Sequence, residues 1–303
     1  MSQIFEEKLE KCIDKNRIFK DEPMKKHTTF KVGGPADYFV VPQKISEAIE
    51  IVKACKEEQL PFYIIGNGSN LLVGDKGYRG VVIQLFKELS DISVEGNVIR
   101  AQAGCRLSQI ANEALKAGLG GFEFAAGIPG TLGGAVIMNA GAYGGEMKDV
   151  LSTVTVLTQK GEVKELKKEE LGLGYRTSQV AKDNSIVLEA TILLQPEDKE
   201  KIKAIMDDLR DRRVSKQPLE FPSAGSTFKR PEGYFAGKLI QDTGLRGYTV
   251  GGAQVSEKHC GFVINKGNAT AEDVLTLINN VTEKVKENTG VTLEPEVKRL
   301  GDF

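Results

Sequence analysis

The sequence predicts an α+β protein in two parts, and three observations lead there. Between residues 24 and 194, short β-branched and aromatic runs alternate with turn signals and leave room for only two or three helices. At Pro196 the composition shifts to a long, highly charged helical stretch. Glycine is in excess, 33 of 303 residues, against about 7% in an average protein, which points to tight turns or to backbone that must approach a ligand. The rest is ordinary for a globular chain: 40% hydrophobic, 27% charged, and a net charge of −1 from 41 basic and 42 acidic residues. That balance gives no global attraction to nucleic acid or to an anionic membrane.

The elements follow in order. Residues 4–19 carry Ile4, Leu9, Cys12 and Ile13 at helical spacing and end at Asp21-Glu-Pro23, so a charged helix is expected. Residues 38–42 form a strand. Ile45, Ala48, Ile49, Val52 and Cys55 set the apolar face of a helix over 46–58. FYII after Pro61 and VVIQLF at 81–86 are buried strands, and 92–102 is a hairpin around Gly96-Asn97. Leu107, Ile110, Ala111, Ala114 and Leu115 make a helix that Gly118 caps. A second hairpin joins 153–158 to 162–166, and IVLEATILL at 186–194 is a strand. A charged helix covers 197–213, a short one 234–242, and Thr270-Ala-Glu-Asp273 opens a helix that Gly290 closes. This gives an N-terminal helical segment at 1–27, one domain at 28–196 and a second at 197–303.

Several chemistries are excluded by inspection. Cys12, Cys55, Cys105 and Cys260 are too scattered for a CxxC pair and are expected to be reduced thiols. With only His27 and His259, no metal site is expected. There is no GxxxxGK[ST] and no GxSxG. The charged N-terminal stretch does not look like a secretion signal, and no long apolar run predicts membrane insertion, so a cytoplasmic protein is expected.

Two glycine segments remain. Gly66-Asn67-Gly68-Ser69-Asn70 follows a strand but has Leu71 where a dinucleotide fingerprint needs its third glycine, so a Rossmann loop fails. The composition still suits a phosphate cradle, with converging N–H groups and short polar side chains, as it would suit a plain strand-to-turn connection. The stretch from Gly118 to Gly145 is dense in glycine and alanine and nearly free of charge. Within it Gly127 to Gly134 bares backbone for an extended ligand, and Asn139 is an amide that needs a partner.

Six segments in chain order carry a resemblance: IIGNGSNLLV (64–73), GIPGTLGGAVIMNAGAYGGE (127–146), LGYRTS (173–178), SAGSTFKRP (223–231), GGAQVSEKHCGFVIN (251–265) and LEPEVKRLG (293–301). Together they resemble the UDP-N-acetylenolpyruvoylglucosamine reductase family across most of 28–301. The resemblance implies an FAD-binding domain of the vanillyl-alcohol-oxidase (PCMH) type, followed by a smaller α+β substrate-binding domain. It implies an NADPH-dependent flavoenzyme that reduces an enolpyruvyl ether on a UDP-sugar in peptidoglycan precursor synthesis. Family members that insert a tyrosine-bearing loop before the serine motif have no counterpart here, since 195–222 read as one helix and a turn; the chain is similar to the shorter subgroup.

By that match Ser226 is the proton donor, Arg176 the holder of the enolate and Glu296 the motif glutamate. The chemistry suits them. Hydride addition leaves an enolate, which is basic enough to take an alcohol proton, and a guanidinium grips a carboxylate with two prongs. FAD contacts are assigned to Gly66, Asn67, Gly68, Ser69, Asn70, Gly127, Ile128, Pro129, Gly130, Gly133, Gly134, Ala135, Asn139 and Gly141. Tyr175, Arg213, Lys216, Lys229, Arg230 and His259 are assigned to the UDP-sugar, with Lys238 a weaker candidate. The alternatives are an FAD-dependent alcohol oxidase of the same fold class and a non-catalytic binding module.

Overall fold

A computed structural model describes residues 3–303. The chain divides into two compact units that are discontinuous in sequence. The first holds the chain up to Phe19, Phe39–Asn67 and Val81–Arg213; the second holds Lys20–Tyr38, Gly68–Gly80 and Val214–Phe303. The last crossing between the units falls after Arg213, within the helix Lys199–Lys216.

The first unit is built on a five-stranded antiparallel sheet. Its order is Val163–Lys167, Leu151–Leu157, Ile186–Leu193, Val98–Gln102 and Ile92–Glu95. Period-two alternation buries Ile99, Ala101, Val154, Val156, Ala190 and Ile192. The edge strand Val163–Lys167 is almost wholly exposed and carries Lys164, Glu165 and Lys167, charges that discourage pairing with another chain. Phe62–Ile65 pairs in parallel with residues 81–84. The helix Ile45–Glu57 buries Ala48, Ile51, Val52 and Cys55 and packs on the helix Gln3–Cys12.

That N-terminal helix is shorter than the sequence predicts. It stops at Cys12, and Ile18–Pro23 is a strand. The reason lies in the backbone partners beyond Cys12: the Arg17 carbonyl accepts the Val41 N–H at 3.1 Å instead of a helical one. The segment 1–27 is therefore α-helical only over Gln3–Cys12, with short 3-10 turns at Lys15–Arg17 and Met24–Lys26, and residues 1 and 2 lie outside the described residues.

The second unit holds a three-stranded antiparallel sheet, Thr249–Val250, Ala253–Val255 and Val263–Asn265, which the sequence reading missed. The helix Ala271–Thr289 presents Val274, Leu277, Ile278, Val281 and Val285 to a core shared with Phe30, Leu72, Phe228 and Ile240. Both expected caps form. Thr270 Oγ1 accepts the Asp273 N–H at 3.0 Å, and Gly290 closes the helix at φ 74°. The Asp75 carboxylate takes the next two N–H groups, of Ala271 at 2.8 Å and Glu272 at 3.0 Å. Lys298–Leu300 pairs in parallel with Leu71–Val73. Among the described residues no helix is long and apolar enough to cross a membrane.

Candidate active site

In the first unit the two glycine segments meet. Asn67 Nδ2 donates to the Pro129 carbonyl at 2.7 Å, and Gln84 Nε2 donates to the Gly66 carbonyl at 3.4 Å. A Cβ on Gly66 would lie 2.1 Å from Thr131 Oγ1, so only glycine lets the strand end approach the second segment this closely. Gly127, Pro129 and Gly134 are exposed there, with Ile128 and Gly130 half-buried. A Cβ on Gly134 would meet nothing nearer than 3.8 Å. This bare, uncharged backbone beside Asn67 fits an extended cofactor such as FAD.

Not every glycine faces outward. Gly133 is buried, its N–H donates to the Ala103 carbonyl, and a Cβ would sit 3.0 Å from that of Ala103. Ala135 is core as well. Gly141 turns a tight ribbon against Gly145 and Glu146. The loop 66–70 is also split: Gly68, Ser69 and Asn70 belong to the second unit. Gly68, at φ +61°, lies under the His27 carbonyl, and Asn70 Nδ2 donates to the Glu296 carbonyl at 3.3 Å.

Asn139 requires a correction. It is fully buried and its amide is spent on protein groups. Nδ2 donates to Glu146 Oε2 at 2.7 Å and to the Gly174 carbonyl at 3.1 Å, and Oδ1 accepts the Lys148 N–H at 2.8 Å. Three satisfied valences and no exposure leave no face for a cofactor.

Arg176 occupies a tight turn, closed by the Gly174 N–H on the Thr177 carbonyl at 3.1 Å. Its backbone sits at φ +54°, a conformation unfavourable for a side-chain-bearing residue. Its guanidinium lies 5.1 Å over the ring of Tyr175, which is exposed. Arg213, expected at the UDP-sugar, lies against Gly127: a Cβ there would be 2.6 Å from the guanidinium. Burial pulls Arg213 below its ordinary value, against Tyr143, but an arginine stays charged.

The second unit assembles the serine and glutamate motifs. The Glu296 N–H donates to the Thr227 carbonyl and the Lys229 N–H to the Glu294 carbonyl, each at 2.8 Å. This antiparallel bridge, centred on Phe228 and Pro295, sets Ser226 one register step from Glu296. Ser226 is exposed and Glu296 is buried. Thr227, unremarked in the sequence, anchors the ladder: its Oγ1 accepts the Val263 N–H at 2.9 Å and its own N–H donates to the Gly261 carbonyl at 2.9 Å.

The basic candidates sort by partner. Lys229 pairs with Glu294, while Lys216 is exposed. Arg230 lies 4.1 Å over the ring of Phe235, and Lys238 pairs with Asp242 at 2.8 Å. His259 Nδ1 accepts the Gly261 N–H at 3.1 Å, and burial lowers its affinity for a proton, so the ring is held neutral with its hydrogen on Nε2.

The class of protein is an FAD-binding oxidoreductase. Residues 36–167 match the family model described as an FAD binding domain, and residues 217–300 that of the UDP-N-acetylenolpyruvoylglucosamine reductase C-terminal domain. The UDP-N-acetylenolpyruvoylglucosamine reductase of Agathobacter rectalis is 56% identical, with all of both chains covered. The crystal structure of the Thermus caldophilus UDP-N-acetylenolpyruvylglucosamine reductase superposes with a TM-score of 0.80 at 38% identity, covering 92% of this chain and 97% of that one. An alkyldihydroxyacetonephosphate synthase, at 16% identity and TM-score 0.51 over 65% of this chain and 41% of its own, shares the fold alone. The chain belongs to the UDP-N-acetylenolpyruvoylglucosamine reductase family, as the six motifs led us to expect.

Proposed function

We propose that this protein reduces the enolpyruvyl ether of UDP-N-acetylenolpyruvoylglucosamine to the lactyl ether of UDP-N-acetylmuramate, a step of peptidoglycan precursor synthesis. FAD is the bound cofactor, NADPH the reductant and the cytoplasm the compartment; the partner is this small UDP-sugar, with no role for nucleic acid. Residues 28–196 would supply the FAD-holding part and 197–303 the substrate-holding part.

The observation that carries the reading is the bridge between 227–229 and 294–296, which joins two motifs almost seventy residues apart. When bound, FAD supplies the hydride that the enolpyruvyl terminal carbon accepts. The exposed backbone of Gly127, Pro129 and Gly134, with Asn67, would hold it. Arg176 grips the substrate carboxylate and stabilises the charge that develops on it. Ser226 Oγ gives its proton to the carbon beside that carboxylate, and Glu296 returns a proton to Ser226. Tyr175, Arg213, Lys216, Lys229, Arg230 and His259 would line the UDP-sugar path.

The test is the visible spectrum of the FAD-loaded protein under anaerobic conditions. NADPH should bleach the flavin band, and the enolpyruvyl nucleotide should restore it. Restoration by air alone, with no response to the nucleotide, would identify an alcohol oxidase of the same fold class. Failure to bind FAD at all would refute the reading.

A further inference from the structure

We propose that Asn139 and Ser178 are positioning residues that clamp the Arg176 turn from both ends onto one short segment, so that the guanidinium meets substrate preset. The proposal rests on the assignment of Arg176 to the substrate carboxylate.

The turn is short, Gly174 to Thr177, and is closed by hydrogen bonds across its own ends. Such a turn in water would relax, since Arg176 is held at φ +54°. What prevents this lies on either side. At the entry, the Gly174 carbonyl accepts Asn139 Nδ2 at 3.1 Å. At the exit, Ser178 Oγ donates to the Ile137 carbonyl at 2.7 Å. Both anchors therefore meet residues 137–139, at the C-terminal end of the helix Leu132–Ile137. The two anchoring side chains are fully buried, where a hydrogen bond is firmest and its loss costs most.

Each anchor is itself fixed. The Asn139 amide is oriented by Glu146 Oε2 at 2.7 Å and by the Lys148 N–H at 2.8 Å. Asn139 also adopts φ +43°, which asparagine tolerates better than most residues. Ser178 Oγ accepts the Ala181 N–H at 3.1 Å and so caps the helix Gln179–Lys182 while it donates to Ile137. The clamp thus ties Arg176 to the same segment whose exposed glycines are assigned to the cofactor. A group displaced by about 1 Å can lose on the order of 100-fold in rate, so loosening the turn should be felt in the substrate step alone.

The test uses the FAD-loaded full-length protein with two variants. Ser178→Ala removes the exit anchor. Asn139→Gly removes the entry anchor while keeping a residue that accepts positive φ. Flavin bleaching by NADPH should stay within about twofold of the parent, while flavin recovery on adding the enolpyruvyl nucleotide should slow roughly 10- to 100-fold. Adding Ser178→Ala to Arg176→Ala should slow recovery no further, because the clamp acts through Arg176. A second readout needs neither cofactor nor substrate: tryptic cleavage after Arg176 should accelerate at least about tenfold in both variants as the turn opens.

Parent-like recovery in both variants, beside a slow Arg176→Ala, would overturn the clamp. So would an equal loss of both half-reactions, which would mark general structural damage, or full additivity in the double variant. Parent-like recovery in Arg176→Ala would instead bring down the catalytic reading of Arg176; the proteolysis would then show whether the two anchors hold the turn. Should one variant fail to fold, the other carries both readouts.

Discussion

Gly66→Ala would place a methyl carbon 2.1 Å from Thr131 Oγ1 and 3.0 Å from its Cγ2, against about 3.5–4.0 Å for favourable carbon contacts. Thr131 is buried, so it has little room to retreat. Overpacking of this kind costs about 1–3 kcal/mol, and at roughly 2–4 °C per kcal/mol for a unit of this size the melting temperature should fall by about 2–12 °C. FAD affinity should fall with it, because the displaced loop carries Asn67 and its bond to Pro129. The compensating change is Thr131→Ala. It deletes both atoms in closest conflict and leaves only the Thr131 Cβ at 3.1 Å. The double variant should therefore be more stable than Gly66→Ala alone, by about 1 kcal/mol or more, even though Thr131→Ala by itself should be mildly destabilising. Thermal denaturation of the FAD-free protein measures all four corners of the cycle, and FAD titration adds the affinity. Simple additivity would refute the claim that close approach of these two segments is what fixes glycine at 66.

Ser226→Ala should leave flavin bleaching by NADPH intact and slow its recovery on substrate by about 10²–10⁴-fold; equal loss of both steps in stopped-flow absorbance would sink the proton-donor role. Asp75→Ala deprives the helix Ala271–Thr289 of acceptors for two N–H groups and should cost about 1–2 kcal/mol in urea unfolding, whereas an unchanged midpoint would show that the cap is idle. His259 has a folded pKa below its unfolded value of 6.5. Its contribution is thus complete above 6.5 and is lost as pH falls from there towards the folded value. His259→Asn, whose Oδ1 can take over the Gly261 N–H, should lose less stability than the parent between pH 7.5 and 5.5; parallel losses would show that His259 titrates unperturbed.

Local chemistry made the helices and hairpins readable. The Thr270 capping box, the Gly118 and Gly290 ends and the Gly96-Asn97 turn all announce themselves within a few residues. The resemblance carried the family. What stayed hidden was pairing at long range. Residues 13–19 read as the end of the first helix because Cys12 and Ile13 continue a helical spacing, and nothing nearby shows that Arg17 will pair with Val41. The short strands at 249–250, 253–255 and 263–265 are too brief for a period-two signal to rise above the turns between them.

The same limit explains what the site revealed only in three dimensions. The sequence makes it plain that an amide at 139, inside an apolar run, must be satisfied, and the family match sets it among the FAD contacts. A side chain's valences can be read from its type, but the groups that fill them cannot, because Gly174 and Lys148 arrive by folding. Thr227 shows the converse. Beside Ser226 it reads as one more hydroxyl, yet it is fully buried and holds Val263, Gly261 and Glu296 in one ladder. Ser226 needs exposure to reach a substrate, and exposure alone would leave it mobile. Placing the exposed hydroxyl directly before a fully bonded, buried one gives reach and rigidity in adjacent residues, which is what the proton-donor role proposed for Ser226 requires.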